Sequence, residues 1–79
     1  MNVLLFARAR DLAGADAIDI DLPSGATVAD LRQAVAAQVP KLAGLVGRCA
    51  FAVDNEFATE QTSLSPASVV ALLPPVSGG

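Results

Sequence analysis

The last six residues, Pro74-Pro75-Val76-Ser77-Gly78-Gly79, are those whose types and order could do chemistry. Gly78 and Gly79 carry no side chains, so the tail is as slim as a polypeptide can be and its backbone as free. Six extended residues reach about 20 Å. Pro74-Pro75 favours the stiff polyproline II form at the base of that reach. A stiff base and a slim tip lower the ordering cost of threading into a narrow channel. The reactive group would be the Gly79 carboxylate. A carboxylate is a poor acyl donor, because its leaving group would be oxide. The chain has no phosphate-binding loop of the Walker type, so it cannot activate that carboxylate alone.

Other chemistries are poorly provided for. There is no His, Trp or Tyr and a single Cys. Lack of His removes the usual general base and the commonest metal ligand, and one Cys without His leaves no donor set for structural zinc. Cys49, beside Ala50 and Phe51 at a strand start, reads as a small buried hydrophobe rather than a redox or sulfur-relay thiol. Unable to form an internal disulfide, it makes a reducing compartment, the cytoplasm, the expectation. No stretch approaches the roughly 20 apolar residues of a membrane span, and no leader with a cleavage site is visible. Eight acidic and five basic residues give a net charge of −3, which disfavours nucleic acid as a partner. Asp19 and Asp21, on one strand face, read as a solvated face rather than a cation site. Arg8 and Arg10 read as surface charge, with pairing to acids on an activating enzyme as the alternative.

The tail needs a body to position it. Seventy-nine residues make one domain, and a chain this short buries about 60–65% of its unfolded surface. A 53% hydrophobic content helps. Residues 2–8 read as a strand with apolar side chains on both parities, and 10–14 as a loop. Residues 16–22 alternate as a half-buried strand, and Pro23-Ser24-Gly25 is a turn. Thr27 and Asp30 have capping-box spacing. Val28, Leu31, Val35 and Val39 then form one apolar helical stripe, which Pro40 ends. Residues 41–47 are ambiguous, with a short helical turn as one reading. Cys49 to Asp54 is a strand, Asp54-Asn55 a tight turn, and Glu56-Phe57-Ala58 the start of a short strand. Ser65 to Ser68 is a turn and Val69 to Leu73 a last buried strand. One helix covers one face of such a sheet. The surplus apolar residues of 3–6 and 69–73 predict an exposed apolar patch, the usual mark of a partner surface. For Phe6 and Leu73 ordinary core is the commoner fate; Phe57, in a polar stretch, reads as exposed.

Three blocks carry a resemblance: residues 3–14 (Val3-Leu4-Leu5-Phe6-Ala7-Arg8 onward), Thr27-Val28-Ala29-Asp30-Leu31-Arg32, and the ending Leu72-Leu73-Pro74-Pro75-Val76-Ser77-Gly78-Gly79. Over nearly its whole length the chain resembles the small-subunit family of molybdopterin synthase, MoaD-like, ubiquitin-like sulfur carriers. It departs at Ser65-Pro66-Ala67-Ser68, where the family has a Gly-Asp type turn, and at Asp54, where Asn is frequent. The resemblance implies an α+β, β-grasp fold: a mixed sheet of four to five strands with one main helix packed on one face. The domain would span residues 1–73 and the flexible tail 74–79.

The resemblance also implies a reaction cycle. A partner enzyme would use ATP to adenylate Gly79, and sulfur transfer would give a thiocarboxylate; the chain itself would bind no cofactor and no metal. Docked on the large catalytic subunit in a heterotetramer, the tail would deliver sulfur to a cyclic pyranopterin monophosphate. The docking surface it implies is Phe6, Phe57 and Leu73, with Pro74, Pro75 and Val76 leading to Gly78 and Gly79. The isolated chain would not be catalytic. Three alternatives stand beside this one: a carrier for thiamine synthesis or tRNA thiolation, a ubiquitin-like modifier of lysines, and an interaction module with an inert tail.

Overall fold

A computed structural model of the protein describes residues 1–75; Val76 to Gly79 lie outside the described residues. The chain runs β1 (Asn2–Leu5), α1 (Ala7–Ala13), β2 (Ala17–Asp19), α2 (Val28–Gln38), a 3-10 turn (Pro40–Leu42), α3 (Ala43–Val46), β3 (Ala50–Val53), β4 (Glu56–Phe57) and β5 (Val70–Leu73). Five strands form one sheet in the order β2-β1-β5-β3-β4. β1 and β5 run parallel, and the other pairings are antiparallel. This is the mixed sheet with one main helix that the resemblance implied.

Alternation along the strands aims Val3, Leu5, Phe51, Val70 and Leu72 at one face, where none is more than 2% exposed. Across that face lies α2, with Val28, Leu31 and Val35 fully buried. Each such side chain contributes about 1.5–3 kcal/mol relative to exposure. Ile20, Leu42, Leu45, Val46 and Ala9 close the rest of the core. The main helix begins as its sequence predicts. Thr27 Oγ1 accepts the Asp30 N–H, and the Asp30 carboxylate accepts the Thr27 N–H at 2.9 Å. It ends at Gln38 with Val39 as its cap, because Pro40 cannot continue it. Pro40 instead opens the 3-10 turn, for which its fixed φ is suited. The ambiguous 41–47 segment is therefore helical over most of its length.

Several expected boundaries fail. The strand predicted over 2–8 stops at Leu5, and the predicted loop 10–14 belongs to helix α1. The Phe6 carbonyl accepts the N–H groups of Ala9 and Arg10, which starts the helix. Gly14, left-handed at φ 71°, ends it with its N–H on the Arg10 carbonyl. Ala9 is buried, and Leu12 and Ala13 pack partly against the core, a helical i, i+3, i+4 spacing. In the sequence, apolar residues on both parities from Val3 to Ala7 read as one strand, and that run hid the helix. The second strand is likewise shorter than predicted, Ala17–Asp19 rather than 16–22. β5 starts at Val70 because Val69 lies outside it, with its N–H on the Asp54 carboxylate.

Candidate functional site

The tail springs from β5, the middle strand of the sheet. Parallel pairing sets Leu72 beside Leu5, and antiparallel pairing sets Leu73 beside Ala50. The parallel register carries Phe6, the residue after β1, to the level of Leu73. Pro74 is half-buried and Pro75 exposed, and the described chain ends there. The base of the tail is thus held on both flanks by neighbouring strands. The predicted roles of Val76, Gly78 and Gly79 fall on residues outside the described ones.

On the face away from α2, one register row crosses the entire sheet: Ala17, Leu4, Ala71, Ala52 and Phe57. Leu73 and Ala50 form a second row beside it, and Val69, 55% exposed, stands on the same side of the chain leading into β5. Small residues keep this face flat, and Phe57, 80% exposed, projects at its β4 edge. Phe6 is 46% exposed at the tail end, so neither phenylalanine is core. Leu73 is half-buried. Phe6 is turned outward by the backbone: it is extended at φ −131°, and Ala7 after it is left-handed at φ 50°. That conformation costs a non-glycine residue about 1 kcal/mol or more. The fold therefore spends strain at the joint that presents Phe6.

Turn chemistry sets the other edge. Asp54 and Asn55 have φ of 52° and 69°, the mirror-image turn that joins tight hairpins, and these two residue types tolerate it. Asp54 also accepts the Val69 N–H at 2.9 Å. The Asp at this family departure therefore ties the β3–β4 hairpin to the start of β5. At the other departure, Ser65 and Ser68 close their turn through backbone and hydroxyl bonds.

Arg32 was not singled out from the sequence. Its Nε and Nη2 donate to the two Glu60 oxygens at 2.9 and 2.6 Å, and its Nη1 to the carbonyls of Val46 and Cys49 at 2.6 and 2.7 Å. The guanidinium sits 5.0 Å from the Phe51 ring centre. It staples α2 to the segment feeding β3, and so fixes the strand beside Leu73. Glu60 holds the guanidinium's pKa above its usual value, while Arg32's hydrogen bond holds the Glu60 carboxyl below its own. An Arg on the flank of an amphipathic helix gives no sequence sign of such a role.

Cys49 is buried, and its thiol donates to the Leu45 carbonyl. Burial pushes the thiol pKa up, against the pull of Arg32 and Arg48. A buried thiol held protonated is a poor nucleophile. Asp19 accepts the Met1 ammonium at 3.3 Å and is otherwise solvated, as expected of it. Among the described residues, no group of three His, Cys, Asp or Glu could hold a metal ion, and no helix is long and apolar enough to cross a membrane. Arg8 and Arg10 are exposed on α1.

Comparison with known proteins places this arrangement. A protein of Arabidopsis thaliana named molybdopterin synthase sulfur carrier subunit is 32% identical over 79 residues, covering 100% of this chain and 82% of that protein. One of the same name from Chlamydomonas reinhardtii is 35% identical over 81 residues, covering 100% and 98%. Among solved structures, SAMP1 from Haloferax volcanii superposes with a TM-score of 0.83 at 28% identity, over 99% of this chain and 97% of that one. A chain in the complex of subunits 1 and 2 of molybdopterin-converting factor from Helicobacter pylori gives a TM-score of 0.67 at 25% identity, over 99% and 96%. The ThiS family model matches residues 3–79, the diglycine included. With its β-grasp body and a family match that runs over residues 3–79, the chain belongs to the ThiS family.

Proposed function

We propose that this chain is the sulfur-carrier subunit of a molybdopterin synthase. The observation that carries the reading is the similarity to proteins of that name along 100% of the chain, tail included. On this reading the Gly79 carboxylate attacks the α-phosphorus of ATP on an adenylating partner, releasing pyrophosphate. A sulfur nucleophile then displaces AMP and leaves Gly79 as a thiocarboxylate. The charged carrier docks on a large catalytic subunit, within a heterotetramer, and inserts its tail. Sulfur passes to a cyclic pyranopterin monophosphate, and two deliveries complete one dithiolene. The carrier leaves as a carboxylate and is recharged. The cycle runs in the cytoplasm, and the isolated chain, binding no cofactor itself, is not catalytic.

Docking uses the flat apolar face. Phe6, Phe57 and Leu73 make contact, Pro74, Pro75 and Val76 line the channel entrance, and Gly78 and Gly79 pass into it. The complex of two subunits known for the Helicobacter pylori relative supports a partner of this kind. Arg8 and Arg10 pair with acids at the margin.

A second reading, a modifier joined through Gly79 to lysines of other proteins, is supported by the structural match to the archaeal modifier SAMP1. One experiment separates the two: co-expression with an adenylating enzyme and a sulfur source, then intact mass of the chain. A gain equal to one oxygen replaced by one sulfur is the carrier's result. Covalent adducts to other proteins, without that gain, would replace the proposal with the modifier reading.

A further inference from the structure

We infer that the pole from which the tail departs carries a cationic collar that meets a carboxylate-rimmed mouth on the protein receiving the tail. This rests on the reading that a partner receives the tail, and it adds the charge chemistry of that partner's rim.

The collar is a product of the fold. Arg8 and Arg10 lie on α1, which continues directly from β1 at the end where β5 also finishes. Arg48 lies two residues before Ala50, the β3 residue paired with Leu73. Lys41 lies in the 3-10 turn, which packs against α1. All four are exposed, and among the described residues none is in a salt bridge. The fifth cation, Arg32, is committed to Glu60. Among the described residues, Asp11, Asp16 and the Arg32-bound Glu60 are the acids at this pole.

The far pole has the opposite character. Asp19 pairs with Asn2 at the start of β1, Asp21 follows it, and Asp54 and Glu56 sit at the hairpin beyond the Val53–Val70 pair. Among the described residues, the Met1 ammonium, bound to Asp19, is the one cation there. A chain of net charge −3 thus places every lysine and arginine not already paired around the root of its tail.

The chemistry favours an acidic protein rim over other anions. The four cations are exposed rather than converged on one point, so they build no phosphate pocket. No Tyr or Trp stands among them as a stacking platform for nucleic acid. They border the apolar face at Phe6 and Leu73, and an apolar centre with a charged margin is the anatomy of a protein–protein interface. Marginal charges act chiefly on the rate of encounter.

The test uses the full chain and the purified large subunit of the cognate synthase, with association and dissociation rates read separately. The wild-type association rate is expected to fall about tenfold between about 50 and about 500 mM NaCl. The reversal R8E/R10E/K41E/R48E is expected to associate at least about tenfold more slowly at low salt, with dissociation changed less than about twofold. The charge-keeping variant R8K/R10K/K41R/R48K and the far-pole variant D21K should stay within about twofold of wild type. Should the reversal variant melt early, R8E/R10E and the wild-type salt trend decide. A complex that forms at a rate indifferent to salt and to charge reversal overturns the collar and leaves the partner reading standing. No complex with the wild-type chain overturns both.

Discussion

Arg32 and Glu60 meet fork to fork, with Nε on Oε1 at 2.9 Å and Nη2 on Oε2 at 2.6 Å, while the remaining Nη1 holds the Val46 and Cys49 carbonyls. The arginine side chain is 22% exposed and the glutamate 52%, so the two ends of the pair differ in what they protect. Removing Arg32 strands two carbonyls beside the core. Arg32→Ala is expected to lower unfolding free energy by about 2–3 kcal/mol. Glu60→Gln, at the solvated end, should cost no more than about 1 kcal/mol. Urea denaturation of the two variants checks the order; equal costs would refute it.

The same pair makes stability depend on pH. The hydrogen bond from Arg32 depresses the Glu60 pKa below its ordinary 4.5. A depressed carboxyl contributes its full stabilisation above the unfolded value and loses it as pH falls through the folded one. The gap in stability between wild type and Glu60→Gln should therefore be present at neutral pH and close in acid, below 4.5. Denaturation curves across that range read it directly, and a gap that widens in acid would contradict the assignment.

Exposure separates residues that hold the fold from residues that meet a partner. Phe57, 80% exposed, should tolerate Phe57→Ala within about 0.5 kcal/mol. Leu72, 1% exposed between β1 and β3, should lose about 2–5 kcal/mol on Leu72→Ala. On the proposed function, Phe57→Ala should nonetheless weaken large-subunit binding by about tenfold, as loss of an exposed aromatic anchor would. Calorimetric titration of that variant checks it.

Ala7 holds φ 50° at the joint behind Phe6. Glycine adopts that conformation freely, so Ala7→Gly should hold or raise thermal stability by up to about 1 kcal/mol, while Ala7→Val should lower it by more than that. A Val variant as stable as wild type would show that the joint is not strained.

The tail should be separable from the body. Gly78→Trp, or removal of Gly78 and Gly79, is expected to leave the melting temperature unchanged and to abolish sulfur transfer. Normal cofactor synthesis by either variant, in a strain lacking the native chain, would remove the tail from the mechanism.

Much of the architecture could be read from residues whose signals agree at every level. Thr27 and Asp30 announced a helix start that the structure repeats bond for bond, and Asp54-Asn55 marked a hairpin whose positive φ angles suit no other pair better than Asn or Gly. α1 was hidden because the apolar run from Val3 to Ala7 reads as one strand, and only the strand's end at Leu5 and the burial of Ala9 show where the helix takes over. Phe57 was legible as exposed because its neighbours are polar. Phe6 was legible only in part: it lies on the surplus parity of its run, yet an aromatic there is ordinarily core, and the bend at Ala7 is what turns it outward. Arg32 and the collar depend on contacts between distant segments, which no local pattern records.

β5 follows the other four strands in sequence, yet it occupies the centre of the sheet, bonded to β1 on one side and to β3 on the other. Without it, β1 and β3 have nothing between them, and the sheet falls into two separate pairs, β2 with β1 and β3 with β4. The keystone is therefore added after the stones it joins. Its pairings are non-local, which makes assembly slow for so small a chain.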